Sequence, residues 1–382
     1  MSKSEFDAKV RNLPKEIIYQ TCQLYMKTGS ERKTSDEIAA EINREYGLVG
    51  TARITREQIT QITRYAIELN MMRMYPPLEE RAVSELRECF PLIGNRKVDV
   101  ISTGYESVHR DVARHTAEVL YKKIMEVAEY KTKAAFGGNP PPRANSPEEA
   151  ATMRDMYRVR MGFPAGTMAY YTARELVGFL KEEPRRPPLS LHALGGEFYV
   201  HRPFNWPAGF FTLFEQLCDD VKYYLALPSP YVREDILERT TQREFKEAIA
   251  LSKQIDVMVT SMAYVKDPHS PIRRALGDEE VAKYKLLGDV NYRSYDNSGP
   301  VDLSSTEMVP TSWLTIRDMV KMARDKNRHV ILAVTPCAVC NLSKAPAVLP
   351  LLEKKNLQIW SHLVMVDSEA EEVLRLKRGV RS

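Results

Sequence analysis

Four groups of residues in this 382-residue sequence could do chemistry. The first is Gly162-Phe-Pro-Ala-Gly166-Thr167, a glycine-bearing turn between a short β-branched and aromatic run and a helix-patterned segment. Such a turn aims free backbone N–H groups at whatever lies over it, which suits a phosphate; the plain alternative is a corner of an α/β domain. The second group falls at the ends of later strand-like runs: Gly195-Gly196, Ser261, and Thr335 onward to Lys344. Glycines let the backbone approach an anion, the Thr167 hydroxyl can donate, and Lys344 supplies a point charge. Equally, turn glycines serve turn geometry, and a lysine at a helix start is solvated. The third group is Asp256, Asp267, His269 and Asp289, candidates for a general base. Asp256 begins a strand and Asp267-Pro268 makes a turn that contains His269. No acid–base pair has a spacing that demands catalysis, so no catalytic residue is expected.

Cys337-Ala-Val-Cys340 is a CxxC pair, and a redox or metal role has to be weighed. Tetrahedral zinc wants four ligands, and neither a second pair nor a histidine cluster adjoins this one in sequence. Two small buried residues are therefore expected, with half of a site shared between subunits or a redox switch as alternatives. No metal and no cofactor are expected.

These residues need elements to position them. The length suggests two domains, and a net charge of +4 permits a local basic patch without arguing for one. No apolar run approaches the roughly 20 residues of a membrane helix, and Met1-Ser-Lys-Ser-Glu5 lacks the apolar core of a signal peptide. Five cysteines, an odd and small number, argue against a disulfide scaffold. A cytoplasmic protein without membrane contact is expected.

Residues 1–77 read as three short helices. Ile17, Ile18, Leu24 and Tyr25 share a face of the first, and Thr34-Ser-Asp-Glu37 is a capping box opening the second. Thr55-Arg-Glu-Gln58 is a second box, opening a helix with Ile59, Ile62, Ala66 and Leu69 inward. This is the frame of a helix-turn-helix whose third helix would offer Thr55, Arg56, Gln58, Gln61 and Arg64 to a DNA major groove, Arg and Gln being suited to guanine and adenine edges. Met71–Tyr75 would be the strand of a small wing. A three-helix bundle with solvated polar faces is the plain alternative, and the connection from Gly47 to Arg53 is long for the motif.

Residues 78–97 read as a polar, partly helical linker, and 98–382 as a second domain. There strand, turn and helix repeat: strands at Val98–Ile101, Tyr157–Met161, Leu189–Leu194, Val221–Leu227, Asp256–Thr260, His329–Val334 and Ile359–Val366, with helical patterns between. Gly137–Pro142 and Ser146-Pro147 read as a surface loop. Alternation of this kind predicts an α/β fold, a doubly wound, mostly parallel sheet with ligands over the carboxyl ends of its strands. Arg158 and Arg160 are odd in a buried strand.

The order of these segments resembles the SorC-type sugar-binding transcriptional regulators, relatives of the DeoR type. The resemblance rests on Met161-Gly-Phe-Pro-Ala-Gly-Thr-Met168, Leu191-His-Ala-Leu-Gly-Gly196, Lys222-Tyr-Tyr-Leu-Ala-Leu-Pro-Ser-Pro230, Ile255–Ser261 with Asp267-Pro-His-Ser-Pro271, and Leu287-Gly-Asp289. It implies a winged helix-turn-helix followed by an effector domain with the fold of sugar-phosphate isomerases. Gly166, Thr167, Gly195, Gly196 and Lys344 would then hold the phosphate of a sugar effector, and Asp289 would face its hydroxyls. Expected partners are a double-stranded DNA operator, a phosphorylated sugar, and further copies of the chain in a dimer or tetramer. The sequence departs from the family at Phe163-Pro164, at Thr335–Ser343, where a glycine pair is usual, and at bulky Phe198, Tyr199, Phe204 and Trp206. A sugar-phosphate isomerase or deaminase, or an interaction protein that uses its bundle for assembly, are the competing readings.

Overall fold

Three apolar stripes at helical spacing meet in the core of the N-terminal unit. The computed structural model describes residues 9–27, 31–68, 76–104, 107–139, 141–196, 205–217, 220–225, 231–233, 243–306 and 308–379, and divides into Met1–Tyr75 and Pro76–Ser382. The smaller unit holds α1 (Lys15–Tyr25), α2 (Ser35–Glu45) and α3 (Arg56–Glu68). Ile17 and Ile18, Ile38 and Ile42, and Ile59, Ile62 and Ala66 pack together. The Thr34–Glu37 box closes reciprocally at the head of α2. At α3 the Thr55 N–H donates to Gln58 Oε1 at 3.0 Å, which turns Gln58 into the core. The expected wing strand, Met71–Tyr75, lies outside the described residues.

The long connection between α2 and α3 is held by one side chain. Asn43 Nδ2 donates to the Ile54 carbonyl and its Oδ1 accepts the Ile54 N–H, both at 2.7 Å. Asn43 and Ile54 are buried, so Asn43→Ala strands two backbone groups away from water. A loss of about 2–3 kcal/mol is expected, read as a lower urea midpoint for the small unit. No change would mean that water replaces the amide.

In chain order the larger unit contains α4 (Glu80–Cys89), β1 (Lys97–Ile101), α5 (Val108–Phe136), α6 (Pro147–Tyr157), β2 (Val159–Phe163), α7 (Thr167–Glu182), β3 (Leu189–Ala193), α8 (Pro207–Phe211), β4 (Val221–Tyr224) and β5 (Tyr231–Arg233). There follow α9 (Arg243–Ser252), β6 (Val257–Thr260), β7 (Met262–Tyr264), α10 (Pro271–Lys283), β8 (Gly288–Val290), β9 (Arg293–Tyr295) and β10 (Met308–Pro310). The unit closes with α11 (Ile316–Arg324), β11 (His329–Val334), α12 (Ala345–Glu353), β12 (His362–Val366) and α13 (Asp367–Lys377).

Seven strands form one sheet in the order β1-β12-β11-β6-β2-β3-β4, every pairing parallel. Alternate side chains serve two cores. Met258, Val330, Leu332, Leu363 and Met365 pack with residues of α4, α11, α12 and α13 on one face. Val257, Val259, Ile331, Val364 and Val366 pack with α5 and α7 on the other. The sheet is doubly wound, as its sequence pattern predicts. Two antiparallel additions, β7-β8-β9 and β10-β5, were not predicted.

Two expectations need correction. Residues 78–97 are not a free linker: Leu86 of α4, Phe90 and Ile93 enter the core of the larger unit, and Leu78 bridges Ile101. Ser146-Pro147 begins α6 rather than breaking structure, Ser146 accepting the Glu149 N–H with proline in the first turn.

The odd Arg158 stands one residue before β2 and is 4% exposed. Its guanidinium donates to Asp155 Oδ1 (2.8 Å), the Leu189 carbonyl (2.8 Å), the Asp220 carbonyl (2.9 Å) and Asp220 Oδ1 (2.6 Å). It ties together the amino ends of β2, β3 and β4.

Three histidines of this unit are pushed down to about 4 by burial, each with a cation nearby: His109 by Lys344, His192 by Arg160, His329 by Lys123. The unfolded chain binds those protons near the ordinary value of about 6.5. Stability is therefore complete above about pH 6.5 and falls as pH drops towards 4. Thermal melts across that window should show the fall, and His192→Gln, at a side chain 1% exposed, should flatten it. A pH-independent melting temperature would contradict the burial argument.

Candidate ligand cleft and nucleic-acid interface

From β2 the chain steps outward to β3 and β4, then returns to place β6 on the other side of β2. At such a switch point the connections leave in opposite directions and open a crevice over the carboxyl ends of the two strands. A cavity of about 160 Å³ lies there, and Gly166, Thr167, Asp289 and Lys344 all line it.

One wall is the head of α7. Gly166 has φ 123° and ψ 164°, a region only glycine occupies without strain. Its N–H donates to the Asn205 carbonyl at 2.9 Å, and Asn205 Nδ2 donates to Thr167 Oγ1 at 3.2 Å. No side chain among the described residues caps α7, so its first-turn N–H groups and positive dipole end are presented beside the cavity.

The same cavity is lined by Lys344, the residue immediately before α12. Its position is fixed from α13: the Lys344 N–H (3.0 Å) and the Ser343 hydroxyl (3.0 Å) donate to Glu369. Burial raises the Glu369 pKa, against the lowering effect of those hydrogen bonds. Asp289 of β8 and Asn291 also line the cavity, and His109 of α5 lies 3.1 Å from Thr335 Oγ1. With its pKa near 4, His109 is a neutral hydrogen-bonding group at ordinary pH. Sequence reasoning missed Glu369, Asn205 and His109; each acts across long sequence distances, and none belongs to a local motif.

Gly195 and Gly196 are placed differently from expectation. They do not line the cavity but seat Tyr292, whose hydroxyl donates to the Gly196 carbonyl at 2.6 Å. A Cβ at Gly195 would come within 2.8 Å of the Tyr292 ring. Glycine is needed there to admit an aromatic ring. Of the bulky residues after this turn, Phe198, Tyr199 and Phe204 lie outside the described residues, and so do Pro228–Pro230; Trp206 begins α8.

Asp256 is also remote from the cleft. It precedes β6 at the amino end of the sheet, where its carboxylate pairs with Lys131 and accepts the Arg160 N–H at 2.8 Å. Asp267 and His269 do reach the cleft wall, and beside them lie Cys337 and Cys340. Cys337 is buried but Cys340 is exposed, so the pair is not simply core. Burial, then the neighbouring Asp267, pushes the Cys337 thiol up to about 11.

On α3 the exposed stripe is Arg56, Thr60 and Arg64, four residues apart. Thr55 is exposed at the helix start and Gln61 is half-buried. Gln58 is 1% exposed and cannot read a groove; Thr60, not singled out from sequence, takes its place on that face. Arg56 lies 3.6 Å from Asp36, both side chains well exposed.

No protein-family model matches this sequence, and no curated protein matches it. Solved structures do. The sorbitol operon regulator SorC from Klebsiella pneumoniae superposes with a TM-score of 0.60 at 15% identity, over 95% of this chain and 99% of its own. A DeoR family transcriptional regulator from Listeria monocytogenes gives 0.52 at 14% identity, over 77% of this chain and 99% of its own. A transcriptional regulator from Streptococcus pneumoniae gives 0.50 at 13% identity, over 77% and 96%. Over almost its whole length, the chain has the fold of the SorC- and DeoR-type transcriptional regulators.

Proposed function

We propose that this chain is a DNA-binding transcriptional regulator, with α3 as its reading helix, whose DNA affinity is set by a phosphorylated sugar held in the cleft of the larger unit. The observation that carries the reading is the meeting of the α7 head at Gly166-Thr167 with Lys344 in one switch-point crevice that Asp289 also lines. The first two suit a phosphate, and a buried carboxylate suits sugar hydroxyls. Because Tyr292 covers Gly195-Gly196, the phosphate seat narrows to Gly166, Thr167 and Lys344. The likeness to a sorbitol operon regulator supports the same reading. A cytoplasmic setting, and a dimer or tetramer that pairs two α3 helices on paired half-sites, belong to it.

An effector moves DNA affinity only by binding the two states of the protein unequally. The test is fluorescence anisotropy of a labelled duplex from upstream of the gene, at two salt concentrations, with a panel of sugar phosphates added to the complex. Specific binding that survives competitor DNA, and shifts with one sugar phosphate, is the expected result. Lys344→Ala should leave effector-free DNA binding intact and weaken the effector response at least about tenfold, the scale of one charge-assisted contact. Weak, sequence-blind binding abolished by modest salt, together with a failed selection from random duplexes, would remove the DNA-binding reading.

A further inference from the structure

The loops that follow β7 and β11 bring four metal-ligating side chains together. Asp267, His269, Cys337 and Cys340 each offer one donor atom, and the four atoms all lie within 4.8 Å of one another. Neither half shows this in sequence, because the two pairs are about seventy positions apart. They meet because β6 and β11 are neighbours in the sheet, so the segments that leave those strands emerge side by side.

Three of the spacings within the cluster are close to those a tetrahedral ion would set. His269 Nδ1 lies 3.1 Å from Asp267 Oδ1, Cys340 Sγ lies 3.6 Å from Asp267 Oδ1, and Cys337 Sγ lies 3.7 Å from His269 Nδ1. A zinc ion with bonds of about 2.3 Å to sulfur and 2.0–2.1 Å to nitrogen and oxygen sets its ligand atoms about 3.3–3.8 Å apart.

We propose that Asp267, His269, Cys337 and Cys340 form a tetrahedral site for a zinc-class divalent cation on the wall of the cleft. Two sulfurs and an imidazole select zinc, or cobalt as its spectroscopic substitute, against magnesium and calcium, which take oxygen ligands. Four protein ligands leave no open position, so the ion is structural. It ties the Asp267–His269 turn to the segment that leads into Lys344, and so fixes the shape of the wall those residues give to the cavity. The assignment does not depend on DNA or a sugar, because metal uptake is read without either.

The test uses the full chain, reduced and stripped of metal with a chelator, then titrated with cobalt(II). One equivalent per chain should bind with the visible bands of tetrahedral cobalt and a near-ultraviolet sulfur-to-cobalt charge-transfer band, and zinc should bleach both. Cys340 is exposed, so Cys340→Ser folds normally by circular dichroism and should weaken uptake at least about tenfold. His269→Gln should do the same, and Cys89→Ser should leave uptake unchanged. Sub-stoichiometric uptake, octahedral cobalt spectra, or C340S and H269Q binding like the parent chain would overturn the site. So would a reduced chain that takes no cobalt and simply reoxidises to a Cys337–Cys340 disulfide.

Discussion

Replacing Arg158 by alanine should lower the stability of the larger unit by about 2–4 kcal/mol, the cost of leaving two carbonyls without donors at a buried site. Asp220 would keep Arg154 and Asp155 would keep Lys222, but the carbonyls of Leu189 and Asp220 would lose donors next to the starts of β3 and β4. Those groups cannot be re-solvated cheaply beside a 4% exposed site. Arg158→Lys should recover only part, since an ammonium cannot span two carboxylates and two carbonyls as a planar fork does. Denaturant titration followed by circular dichroism measures both variants. A loss below about 1 kcal/mol, the range of surface pairs, would show that the cluster is solvated and that β2 to β4 hold their register without it.

The second large effect is expected on α3. Arg56→Ala combined with Arg64→Ala should weaken specific DNA binding by about 2–6 kcal/mol, taking about 1–3 kcal/mol per base contact. The exposed pair of Arg56 with Asp36 contributes little by itself, so Arg56 is available to DNA at small cost. Gln58→Ala separates reading from folding. Its side chain is buried and caps Thr55, so its loss should lower the stability of the small unit and leave specificity alone in the folded fraction. If the double arginine variant bound its operator like the parent chain while losing self-assembly, α3 would be an assembly surface instead.

Much of the architecture was legible because it rests on local rules. Continuous apolar runs marked β11 and β12, helical stripes marked α5 and α7, and the Thr34 box placed α2 to the residue. Gly166-Thr167 and Lys344 were found at one cavity because glycine turns and helix starts are local signals. What stayed hidden is non-local or very short. The strands β7, β8 and β9 have three residues each, too few for any period to register. Gly195-Gly196 looks like an anion turn until Tyr292 arrives from 96 positions away. Polar α4 read as a linker because Leu86 is its one fully buried side chain. The metal-ligating quartet required knowing which strands are neighbours, and spacing along the chain does not carry that.

One feature of the sheet bears on how the protein is made. The edge strand β1 pairs with β12, and Asp99 of β1 meets His362 of β12 across 263 positions. At about 5–20 residues per second of synthesis, β1 waits on the order of 13–50 s after it is made before its partner exists. The small helical unit closes on contacts within its own length and can fold as soon as it leaves the ribosome. Throughout that delay β1 carries an open edge and the apolar side chains of Val98, Val100 and Ile101, a nascent segment suited to chaperone capture.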